Sequence, residues 1–61
     1  MKLKKILESI KGLDRIPYEF ANELLAHGIT DFLEEGCSYE YAVDILARAE
    51  ISVQRQKAQG A

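Results

Sequence analysis

Cys37 and His27 are the only thiol and the only imidazole in the chain, and a cysteine hydrolase would need the two side by side with a third group orienting the base. They lie ten residues apart, in different copies of an internal repeat, and no glycine-rich oxyanion loop surrounds either. A lone cysteine and a lone histidine also fall short of a four-ligand zinc site. The sequence therefore predicts no catalytic residue, no metal and no cofactor. Cys37 reads as a small buried residue ahead of a helix, and His27 as a cation in the last turn of one, where the helix dipole favours it.

Tyr18, Phe20, Tyr39 and Tyr41 are the other residues with chemical potential, as a stacking platform for single-stranded nucleic acid. Such platforms interleave aromatic rings with Lys and Arg. Here the rings alternate with Glu19 and Glu40. They are expected to pack on a neighbouring helix and leave their hydroxyls in water.

The elements that position these residues are written twice. Tyr18-Glu19-Phe20-Ala21-Asn22-Glu23-Leu24-Leu25-Ala26-His27 returns 21 residues later as Tyr39-Glu40-Tyr41-Ala42-Val43-Asp44-Ile45-Leu46-Ala47-Arg48, with five of ten pairs identical. A matched period of this kind marks two copies of one helical unit, each needing a neighbour to cover its apolar side. The repeat units are residues 17–28 and 38–49 of a single helical domain covering 1–61.

Ahead of the repeat, Leu3, Ile6, Leu7, Ile10 and Leu13 recur at spacings of three and four, with Lys2, Lys4, Lys5, Glu8 and Lys11 opposite. This predicts an amphipathic first helix of about ten residues. Gly12 weakens it, and Asp14-Arg15-Ile16-Pro17 ends it and starts the next, since proline suits a first helical turn. Gly28 is expected as a left-handed C-cap of the first copy. Between the copies, Thr30 could cap one short turn ending at Gly36, with Phe32 and Leu33 plugging the open end of the core.

Ser38 is the expected N-cap of the second copy. Ala49 stands where the first copy has Gly28, so no stop signal appears before Gly60. This helix should reach about residue 57, roughly 20 residues or ~30 Å, with 58–61 as a frayed tail. Tyr39, Ala42, Leu46, Ala49 and Val53 form a heptad seam along it. Two shorter helices cannot cover its whole length, so its second half either projects with Ile51 and Val53 exposed or packs on another chain. The expectation is a homodimer held by the seam.

Charge is sorted along the chain. Residues 1–13 carry four Lys against one Glu, 14–50 carry nine acids against Arg15 and Arg48, and 51–61 add Arg55 and Lys57, for a net charge of -2. Glu34, Glu35, Glu40, Asp44 and Glu50 could offer an acidic surface to a protein partner. At 61 residues, apolar burial and ordering entropy nearly cancel, which again favours self-association. No run approaches the ~18 apolar residues of a membrane span, and the lone cysteine suits a cytoplasmic protein.

The turn from Thr30 to Gly36 followed by the helix from Ser38 superficially resembles a helix-turn-helix DNA-binding unit. A recognition helix opening on Tyr39, Glu40, Tyr41 and Asp44 would oppose phosphate rather than neutralise it. Leu33-Glu34-Glu35-Gly36-Cys37-Ser38 through Ala42 and Leu46 also resembles one helix-loop-helix of the ubiquitin-associated domain family. The chain departs from that family at Cys37, where its loop carries an aromatic, and in having no compact third helix after it. The sequence predicts an all-α bundle of a short, a middle and a long helix with a one-turn connector. Its expected function is a non-catalytic protein-protein interaction or regulatory module acting as a homo-oligomer. A small DNA-binding transcriptional regulator is the alternative.

Overall fold

A computed structural model describes residues 2–60, the Lys2 side chain excepted. The placement of Lys2 on the polar face, and the last residue of the tail, fall outside the described residues. Four helices occur in the order α1 (Lys2–Ser9), α2 (Tyr18–Ala26), α3 (Ile29–Glu34) and α4 (Tyr39–Gly60), and no strand is present among the described residues. The expected connector is thus a fourth helix of six residues.

The long element sets the shape. Twenty-two residues of α4 span about 33 Å at the helical rise, close to the 36 Å long axis of a molecule 18 Å across in the other directions. α2 makes the most extensive packing on α4, followed by α3, while α1 packs on α2. One cluster of buried side chains runs through the molecule, with Phe32, Leu3 and Leu24 its largest fully enclosed members. Ala21 on α2 and Ala42 and Ala49 on α4 are also fully buried. Side chains this small let helix backbones approach closely, at the short end of the usual 8–10 Å spacing.

Local chemistry explains the boundaries. The backbone N–H of Tyr41 donates to Ser38 Oγ at 3.1 Å, so Ser38 caps α4 by satisfying one of the orphan donors of its first turn. At the end of α3, Gly36 donates to the Leu33 carbonyl at 3.0 Å and Cys37 to the Phe32 carbonyl at 3.0 Å. This paired pattern is a Schellman motif, which requires a left-handed residue at the position of Gly36. Gly36 has φ +94° accordingly. Its last member, Cys37, packs against the core cluster that contains Phe32, completing the apolar contact that accompanies such caps.

Several expectations are corrected. α1 stops at Ser9, and Leu13 lies 44% exposed in the following loop rather than on an apolar face. Leu13 donates to the Ile10 carbonyl at 3.1 Å, with Gly12 at φ +84° inside the turn. Gly28 is not a left-handed cap: its φ of -100° and ψ of 176° are extended, as is His27 before it. These two residues alone join α2 to α3. Thr30 lies within α3, whose N-cap is Gly28. Phe32 plugs the core, but Leu33 is exposed. α4 continues to Gly60, past the expected end near 57, because no helix breaker precedes that glycine.

Val53 is not exposed. It joins the core cluster together with Ile16, from the loop between α1 and α2. That loop thereby covers the part of α4 which the short helices leave uncovered.

Candidate interaction surface

The potentially reactive side chains are drawn into structural roles. His27 Nδ1 lies 2.8 Å from Asp31 Oδ2, bridging the corner between α2 and α3. Cys37 is half-buried and belongs to the α3 cap. Among the described residues no hydrogen bond joins Cys37 to His27, and no group of three or more His, Cys, Asp or Glu side chains is placed to hold a metal ion.

The seam divides. Ala42, Ala49 and Val53 are buried in the chain's own core, Leu46 is half-buried against it, and Tyr39 is 61% exposed. The four inner seam residues therefore pack within one chain, where α2 and α3 lie on α4. The reason lies in α4 itself, which carries two apolar rows. The heptad row of 42, 46, 49 and 53 faces inward. Tyr39, Val43, Ala47 and Ile51, each four residues after the last, form a second row on an adjacent flank of the helix, and all are exposed.

A shallow groove runs beside this outer row, lined by Tyr39, Glu40, Val43, Asp44 and Ala47. It unites residues expected to serve two purposes: Tyr39 from the seam, and Glu40 and Asp44 from the acidic surface. Val43 and Ala47 were not expected as site residues; their four-residue spacing from Tyr39 was the signal. Val43 is 42% exposed and Ile51 53%, a cost in free energy for a chain that has so little apolar surface to bury.

The acids differ in how free they are. Asp44 Oδ2 pairs with Arg48 Nε at 3.2 Å across one helical turn. Glu50 accepts a hydrogen bond from Gln54 Nε2 at 2.9 Å. Both pairs are exposed and so hold weakly, leaving the carboxylates able to exchange partners. Glu40 lies on the groove itself, Glu34 is exposed on α3, and Glu35 is half-buried at its C-cap. The structure thus groups Glu40 and Asp44 beside the apolar row, while Glu34 and Glu35 lie on a different helix.

No helix among the described residues is long and apolar enough to cross a membrane. Comparison with known proteins finds no matching family model, no similar curated protein and no similar solved structure.

Proposed function

We propose that the chain is a non-catalytic protein-interaction module whose outer α4 face docks a basic amphipathic segment of a partner protein, in the cytoplasm. The observation that carries this reading is the apolar row of Tyr39, Val43 and Ala47, left exposed and bordered by Glu40 and Asp44. An apolar row with a carboxylate edge complements a helix that has an apolar stripe and Lys or Arg beside it. Glu34, Glu35 and Glu50 extend the acidic surface away from the groove and would act on encounter more than on final affinity.

A homodimer is the second occupant of the same face, because small size favours self-association and the inner seam is engaged within the chain. A pairing of two such grooves would bring two faces bordered by Glu40 and Asp44 together. Like charges across an interface are unfavourable, and this is why a basic partner is preferred to a second copy. The regulator reading has less support: α4 opens on exposed Tyr39, Glu40 and Asp44, a poor surface for phosphate.

The test is binding of a fluorescent model helix with Leu at helical spacing and Lys on its flanks. Binding should be saturable, weaken at high salt, and fall about tenfold or more in Val43→Asp, the equivalent of ~1.4 kcal/mol. Val43 is exposed, so this variant should fold. Equal affinity of wild type and Val43→Asp would overturn the assignment, and sedimentation of a dimer that Val43→Asp dissociates would transfer the face to a second copy.

A further inference from the structure

All three arginines of the chain, Arg15, Arg48 and Arg55, line one groove of about 400 Å³ that adjoins the outer apolar row of α4 at Ile51. Sequence separates them by up to forty positions; two structural facts bring them together. Burial of Ile16 in the core fixes the loop that carries Arg15 beside the second half of α4. Burial of Ala49 and Val53 then turns Arg48, Ser52 and Arg55 toward that loop, at spacings of four and three that share one helix flank.

The groove has the features of an anion site. Ser52 is half-buried between the two α4 arginines and can donate its hydroxyl. Ile16 and Ile51 form apolar walls, and Asp14 is the one carboxylate in the lining. Arg48 spends its Nε on Asp44, which leaves its terminal nitrogens available, since a guanidinium carries five N–H donors. Beyond Arg55 the groove continues between Tyr18 and the amides of Gln56 and Gln59, further neutral donors in line with the arginines. The chain as a whole is acidic, with net charge -2, so three guanidinium groups around one concavity are a local reversal of its charge.

We infer that this groove binds a ligand carrying two or more linked phosphates. Arg48 and Arg55 are seven residues apart, about 10 Å along the helix axis, so their forks meet a row of phosphates better than a single one. Arg15 closes the row from the loop side. Arginine is suited to this task because its planar fork binds phosphate oxygens in pairs. Two sources carry such linked phosphates: a free inorganic chain, or a nucleoside whose base would rest against Ile16, Ile51 or Tyr18.

The test is titration of the full, isotope-labelled chain with inorganic tripolyphosphate, adenosine triphosphate or orthophosphate at constant ionic strength, followed by NMR. Tripolyphosphate should produce saturable shifts at Ser52 and at the Nε signals of the three arginines. Arg15→Gln and Arg55→Gln should each weaken binding about tenfold, the usual loss for one charge-assisted contact of ~1.4 kcal/mol. Lys57→Gln, which removes a cation outside the groove, should leave it unchanged. All these positions are exposed, so each variant should keep the wild-type helical signal in circular dichroism. Tighter binding of adenosine triphosphate than of tripolyphosphate identifies a nucleoside-borne source, and the reverse order a free one. Shifts that never saturate, orthophosphate binding as tightly as tripolyphosphate, or an equal loss in Lys57→Gln would each overturn the inference.

Discussion

Replacing Gly36 by alanine should destabilise the chain while the same change at Gly28 should not, although both glycines follow a short helix. Gly36 holds φ +94°, and Gly28 holds an extended φ of -100°. A Cβ built at either position meets no atom within 4 Å, so sterics with neighbours contribute nothing and the backbone conformation decides. A left-handed L-residue costs about 1–2 kcal/mol. For a chain of this length the net stability is about 3–9 kcal/mol at the usual value per residue, so the loss is a large fraction of it. With about 4–8 °C of melting temperature per kcal/mol in a small domain, Gly36→Ala should melt about 5–15 °C below wild type. Gly28→Ala should stay within about 0.5 kcal/mol, the range of an unstrained surface change. Thermal melts by far-UV circular dichroism separate the two. Equal losses, or a larger loss at Gly28, would refute the Schellman assignment and restore Gly28 as the helix stop.

Three further outcomes follow from packing and capping. Phe32→Ala empties the centre of the cluster and should cost about 3–5 kcal/mol, enough to leave the chain largely unfolded by denaturant titration. Ala49→Leu inserts methylenes where α4 meets its neighbours and should cost about 1–3 kcal/mol, read as a lower denaturant midpoint. Ser38→Ala removes the hydroxyl that caps α4 and should cost about 1 kcal/mol, with Ser38→Asp restoring most of it.

Local signals in the sequence account for the helical class, the Ser38 cap and the stop at Gly36, each set by a few adjacent residues. The errors arise where distant elements decide. α4 presents two apolar rows, and spacing alone does not tell which one α2 and α3 will cover; the heptad row won, and Tyr39 with Val43 was left outside. Val53 was expected on a dimer seam because helix lengths alone left it uncovered, whereas it shares one buried cluster with Ile16 from a loop of the same chain. The convergence of Arg15 with Arg48 and Arg55 depends on that same loop and so had no local signature. Gly28 misled because glycine after a helix usually takes positive φ, while a two-residue corner here takes extended geometry.

The central claim is that the outer face of α4 is a docking surface for a basic partner. Its most direct test is an amide chemical-shift map of the labelled chain titrated with the Leu/Lys model helix. Saturable shifts confined to Tyr39, Glu40, Val43, Asp44, Ala47 and Ile51 are expected, with the midpoint moved about tenfold or more to higher peptide concentration in Val43→Asp. Shifts centred on any other surface, or none at millimolar peptide, would contradict it.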